Sequence, residues 1–339
     1  MKYSFRNDYS SICHKKVLEK FIQCQNEQNI GYGEDIHTLN AIKLIQNKIK
    51  NDSDVFFLVG GTQTNMTIIS HILKPYEAVI AAETGHINVH ETGAIEGKGH
   101  KVLTAKTLDG KLNPKLVLDI LNNHTDYHMV KPKMIYISNT TEIGSYYTLN
   151  ELKELYECAK RNDLYLFLDG ARLASALAIS DIDYPDYAKY TDVFYIGGTK
   201  NGSYIGEAVV INNKILANEF KYSIKHSGAM LAKGFVASIP FEVLMENDLY
   251  KEIGKLENDC ANYLTNELQK LGYKFYSNSK TNQIFIIVSN NLKDYINKEY
   301  DFEIWNKIDN NNVTIRLVTS FTTKIEICKE FIEYIKLFK

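Results

Sequence analysis

Six short runs constrain the fold most, because each is too uniformly apolar to keep one wet face: Val55–Val59, Ala78–Ala82, Met134–Ser138, Leu164–Asp169, Val193–Gly198 and Glu207–Ile211. Stretches with apolar residues at three- and four-residue spacing separate some of them, such as Asn65–Leu73 and Thr148–Arg161, and these read as helices. A strand apolar on both faces must be covered on both, so the alternation predicts an α/β fold with a mainly parallel sheet between helices. Beyond Pro240 the pattern changes. A long amphipathic helix over about Glu242–Leu271 precedes short strands at KFYSN, QIFIIV and VTIRLV, and a last helix ends at Phe338. The expected organisation is a large domain over 1–240, including the N-terminal segment, and a smaller C-terminal α+β domain over 241–339.

A chain of 339 residues with 45 % hydrophobic content can bury a core of that size. Lys plus Arg number 39 against 41 Asp plus Glu, so there is no basic excess to suggest nucleic acid and no acidic tail. The five cysteines are scattered without a CxxC pair, which predicts a reducing compartment and no zinc motif. No stretch has signal-peptide character and none approaches the roughly 18 apolar residues of a membrane span, so the expected location is the cytoplasm, with no membrane partner.

Three constellations carry possible chemistry. In VFFLVGGTQTN a strand stops at Gly60-Gly61-Thr62 and a helix follows, giving an N-terminus whose free N–H groups can cradle a phosphate; an ordinary capped helix start explains the same residues. The segment lacks both the P-loop and the GxGxxG fingerprints, which argues against a nicotinamide dehydrogenase. In LYLFLDGARL a strand delivers Asp169 to its carboxyl end, with Arg172 three residues on. Ligands of open α/β sheets bind at such ends, and an aspartate can keep a pyridine nitrogen protonated; a helix cap paired with a surface arginine is the alternative. In VFYIGGTKNGSYIGEAVV, Lys200 sits among glycines one strand after Asp169. It is either a solvated surface charge or a desolvated amine sharing that crevice, where a lowered pKa makes it a nucleophile.

Taken in order, GGT…N, His86, DGAR and a glycine-flanked lysine resemble the threonine aldolase and β-eliminating lyase family of fold-type I pyridoxal-phosphate enzymes. The resemblance runs from RND (Arg6–Asp8) through GYGED (Gly31–Asp35), HINVHETGA (His86–Ala94) and DYHMVKPKMIYISNT (Asp126–Thr140) to TIRLVTS (Thr314–Ser320). It implies a seven-stranded-type sheet and pyridoxal 5'-phosphate as cofactor, with Gly61 and Thr62 on the phosphate and His86 stacked on the ring. It further implies Asp169 at the ring nitrogen, Lys200 as the covalent anchor, and Arg172 with Arg316 as the fork for the substrate carboxylate. His128 is the implied second active-site histidine, beside the substrate hydroxyl.

Two positions depart from the family. Asn7 stands where a serine assists carboxylate binding, and an amide can donate a similar hydrogen bond. In KHSGAMLAKGF, Leu231 replaces an arginine, for which Lys225 or Lys233 is a substitute. The activity implied is cleavage of the Cα–Cβ bond of a β-hydroxy-α-amino acid to glycine and an aldehyde, with His86 or His128 taking the hydroxyl proton. A β-eliminating lyase on the same scaffold is the alternative, and an idle cofactor-binding protein a third. The resemblance also implies a homo-oligomer, a tetramer built as a dimer of dimers, with Tyr32 reaching across a subunit boundary. No pair of histidines or carboxylates has metal spacing, so no catalytic metal is expected, and His71 reads as a core or helix-surface histidine.

Overall fold

The computed structural model describes residues 2–338. A two-residue strand, β1 (Tyr3–Ser4), precedes the seven strands of the main sheet: β2 (Asp54–Leu58), β3 (Glu77–Ala82), β4 (Val102–Ala105), β5 (Lys131–Ser138), β6 (Tyr165–Asp169), β7 (Val193–Gly197) and β8 (Glu207–Ile211). Their order is β2-β8-β7-β6-β5-β3-β4, and β8 alone runs antiparallel to its neighbours. The two-residue period deals each strand to two cores. Ala78, Ile80 and Ala82 of β3 join one apolar cluster while Val79 and Ala81 join the other, and β6, β7 and β8 divide in the same way. Both faces are therefore dry, as the six apolar runs require.

Helix starts follow local chemistry. Thr148 and Glu151 form a reciprocal capping box ahead of the helix Leu149–Arg161, and Asp35 accepts from the Thr38 amide at the head of Ile36–Ile49. The loop from β7 to β8 is shaped by close approach, since a Cβ on Gly198 would lie 2.5 Å from the Gly206 carbonyl oxygen and 2.7 Å from the Phe241 ring. That loop carries Lys200.

The C-terminal layer contains β9 (Lys274–Phe275), β10 (Gln283–Ser289), β11 (Tyr300–Asp301), β12 (Glu303–Lys307) and β13 (Asn312–Val318). Four of these form an antiparallel sheet in the order β12-β13-β10-β9, and β11 pairs in parallel with β1. Phe5 is thereby buried with Leu264, Ile286, Ile315 and Phe331, in the C-terminal core. The helix expected over Glu242–Leu271 is two helices, Phe235–Leu244 and Leu249–Lys270, because Asn247 and Asp248 take left-handed conformations (φ 47° and 58°) that these residue types tolerate. The second helix serves both layers. Leu249, Tyr250 and Ile253 belong to the core of the main sheet, and Cys260, Leu264 and Leu268 to the C-terminal core. Among the described residues no helix is long and apolar enough to cross a membrane.

Candidate active site

The carboxyl ends of β5, β6 and β7 and the loop after β2 converge on a cleft of about 370 Å³, closed on its other side by β12 and β13. Gly61 and Thr62 line it from the first turn of the helix Gly61–Ile72, whose N-cap, Gly60, supplies no side-chain cap. The first amides of that helix are open to an anion.

Asp169 ends β6 on the floor of the cleft. Its carboxylate accepts from the hydroxyls of Tyr136 and Tyr195 (both 2.5 Å), from Asn65 Nδ2 (3.1 Å) and from the Ala171 amide (2.9 Å). Burial works to raise its pKa, but the His86 charge and these donors outweigh burial and hold it below the usual carboxylate value. Lys200 lines the same cleft, half-buried. Burial and then the neighbouring Arg172 charge lower its amine below an ordinary lysine, against the opposing pull of Asp8, Asp169 and Glu207. Glu207, at the start of β8, accepts from the Gly198 amide (2.9 Å), and burial pushes its carboxyl up to about 7.

His86 opens the turn after β3, with Nδ1 2.8 Å from Glu91 Oε1, an oxygen that also accepts from Asn65. Asn65 thus joins the partners of Asp169 and of His86 in one network. Arg172 and Arg316 both line the cleft. Arg172 donates from Nε (2.7 Å) and Nη2 (3.2 Å) to Asp8, which Asn282 also holds (3.0 Å). Arg316, on β13, donates to Gln283 Oε1 (3.2 Å) and to Glu303, lies 5.3 Å from the Trp305 ring, and keeps a buried Nε without a partner.

Two expected residues are not in the cleft. His128 lies on an exposed loop before β5, against Tyr127, whereas the cleft is at the opposite end of that strand; the second histidine lining the cleft is His90, 5.5 Å from His86. Asn7 does not line it either, because its Oδ1 closes a local turn with the Tyr9 amide (3.0 Å) and the Ser10 hydroxyl (2.9 Å), and the adjacent Asp8 reaches Arg172. Lys225, Lys233 and Tyr32 are exposed, and Tyr32 and Leu231 line a separate apolar groove. His71 bonds Ser223 (2.7 Å) and the Leu216 carbonyl (3.0 Å), inside a packed face. Among the described residues one cluster of metal-ligating types occurs, Cys24, Glu27 and His37, and none of it lines the cleft; His37 is held there between Glu27 (2.6 Å) and Glu242 (2.8 Å).

The residues present fit pyridoxal phosphate. An uncapped helix start suits its phosphate, a charged and buried Asp169 suits its ring nitrogen, and a desolvated Lys200 suits its aldehyde. Thr140, whose buried hydroxyl lines the cleft without a partner, leaves a polar group to be satisfied there.

The chain is 31 % identical over 290 residues to a low-specificity L-threonine aldolase of a Pseudomonas species, spanning 84 % of this chain and 83 % of that one. It is 43 % identical in sequence to the threonine aldolase of Leishmania major, with a TM-score of 0.97 over 98 % of both chains. The aspartate aminotransferase of Thermus thermophilus, at 14 % identity, shares the fold alone, with a TM-score of 0.72 over 98 % of this chain and 90 % of that one. The model of the β-eliminating lyases matches residues 5–291, and the chain belongs to that family of pyridoxal-phosphate enzymes.

Proposed function

We propose that this lyase cleaves L-threonine, L-allo-threonine or a related β-hydroxy-α-amino acid to glycine and an aldehyde. The observation that carries the reading is a desolvated Lys200 amine sharing one cleft with a charged Asp169 and with two guanidiniums from different layers. The 43 % identity to the Leishmania major threonine aldolase supports it.

When bound, pyridoxal phosphate supplies a conjugated ring that accepts the electron pair of a bond at the substrate Cα. Lys200 would hold the cofactor through Nζ. The amides of Gly61 and Thr62 would hold the phosphate, His86 would cover the ring, and Asp169 would keep the ring nitrogen protonated. Arg172 and Arg316 would fix the substrate carboxylate, and so choose which Cα bond is presented for cleavage. A base in the cleft takes the β-hydroxyl proton as Cα–Cβ opens; of the two histidines expected for that role, His86 and His128, only His86 lines the cleft. The family also supports β-elimination as a second reading, in which Cα–H is the bond aligned.

Purified holoenzyme supplied with L-threonine, L-allo-threonine and L-phenylserine should release glycine and the matching aldehyde. Pyruvate with ammonia from a substrate carrying a leaving group at Cβ, and no glycine, decides for elimination; no turnover of any of them decides for an idle binder.

The assembly we propose is a dimer of dimers in the cytoplasm. Its support is the groove that Tyr32, Leu39, Phe56 and Leu231 line beside exposed Ile30 and Ile36, with Lys225 stacked 4.9 Å over the Tyr32 ring. Sedimentation at assay concentration tests it, and a fully active monomer overturns it.

A further inference from the structure

Two buried acids in the cleft are left without a role by the scheme above: Glu207, which the Gly198 amide holds at the start of β8, and Glu142. Glu142 follows β5 by four residues, lines the cleft and is 8 % exposed. Its Oε1 accepts from the Ser138 hydroxyl (2.6 Å) and from the backbone amide of His86 (3.0 Å), and among the described residues no side chain donates to Oε2. One oxygen therefore fixes the carboxyl, and the other is free to exchange a proton in the cleft. The groups around it are few. His86 comes from the turn after β3, Asp169 and Arg172 from the end of β6, and the tyrosines Tyr136 and Tyr147 from β5 and the segment beyond Glu142.

A base must still be found for the β-hydroxyl. His128 is at the wrong end of β5, and His86 has Nδ1 committed to Glu91 while its ring is needed over the cofactor. We propose that Glu142 is the group that accepts the β-hydroxyl proton, and that His86, whose backbone amide holds Glu142, positions it. The inference rests on the aldolase reading. As the proton moves from the hydroxyl oxygen to Glu142 Oε2, Cβ–O becomes a carbonyl and the Cα–Cβ pair passes into the bound cofactor. Cα then takes a proton from Lys200 Nζ, Glu142 passes the hydroxyl proton to water, water returns one proton to the amine side, and the sum is one amino acid to glycine plus aldehyde. Burial raises the Glu142 carboxyl, with Asp169 adding to the rise and Ser138 and His86 opposing it, which brings a carboxylate nearer the range a general base requires.

The test is Glu142→Gln, with Glu142→Asp as the conservative control. The glutamine variant should lose about 10²–10⁴-fold in kcat for glycine formation, with KM changed far less and the acid limb of the kcat/KM profile removed. The aspartate variant should recover part of the rate together with an acid limb. The visible absorption of bound cofactor, and exchange of the glycine α-proton in D₂O followed by NMR, should persist in Glu142→Gln, because neither involves the β-hydroxyl. A slow Glu142→Gln that keeps the wild-type acid limb, or whose α-proton exchange falls in parallel with cleavage, overturns the proposal, as does an unimpaired variant. Failure of the aldolase reading is distinct, since the wild type itself would then make no glycine.

Discussion

Arg172 and Arg316 reach the same cleft from opposite layers, and their surroundings differ in kind. Arg172, from the large layer, sits in a bidentate pair with Asp8, whose side chain is 1 % exposed. Arg316, from β13, meets Glu303, its cross-strand neighbour on the edge strand β12, whose side chain is 36 % exposed. The first carboxylate has nowhere to go, and Asn282 also holds it. The second can turn out to water. Arg172 is thus built as a fixed cation with its counter-ion permanently in place, whereas Arg316 can change partners, and a substrate carboxylate is chemically equivalent to the group it would release.

Removing the fixed arginine should have the largest effect. Arg172→Met leaves Asp8 buried and uncompensated, and should cost about 3–5 kcal/mol of stability in denaturant titration as well as abolish turnover. An unfolding midpoint equal to wild type would mean that the pair is not locked. The same pair sets an acid limb of stability. Burial works to raise Asp8, but Arg172 and then Lys200 outweigh it and hold its carboxyl below the ordinary 3.8. A carboxyl depressed in the folded state contributes fully above its unfolded pKa and loses that contribution as the pH falls through the folded value. Asp8→Asn should flatten stability against pH in that acid window, and an unchanged slope there would remove Asp8 from the account.

At the exchangeable arginine the effect should be smaller and kinetic. Arg316→Lys keeps the charge and loses the fork, and should lower kcat/KM by roughly 1.5–3 kcal/mol with little change in unfolding. Matched losses of stability in Arg316→Lys and Arg172→Met would erase the contrast. The smallest effect belongs to Glu303→Gln, which removes the competing carboxylate. KM for the amino acid should fall by no more than several-fold, within the ~0.2–1 kcal/mol of an exposed pair, and a rise in KM would assign Glu303 to holding Arg316 in place.

The main sheet was legible because its signal is local. A strand apolar on both faces must be covered on both, and six of the seven strands announce themselves so, the edge strand β2 among them. The exceptions lie at edges. Val102–Ala105 keeps Thr104 exposed, and Glu303–Lys307 is largely polar, so neither stands out from a loop. Asp169, Arg172 and Lys200 could be singled out because chemistry-bearing residues at strand ends are countable along the chain. Glu142, Glu207 and Tyr195 could not, since their roles depend on which strand lies beside which. Glu142 does follow a strand end within NTTE, the one local hint available. His128 was singled out by the resemblance of the segment Asp126–Thr140, and a motif that precedes a strand does not say which end of the strand faces the ligand. Asn7 misled by a single position, since the turn that its side chain closes is what turns Asp8 inward.

The pairing of Tyr3 with Tyr300 bears on how the protein is made. During synthesis β1 emerges long before its partner strand β11, and Phe5 has no core to enter until then. Asp8, carried on that same arm, cannot be held against Arg172 and Asn282 before the late strands have formed. The large sheet can assemble before β10 and β11 are made, but the fixed arginine acquires its counter-ion only after them. A nascent or prematurely terminated chain is therefore kept from becoming a working catalyst by topology alone.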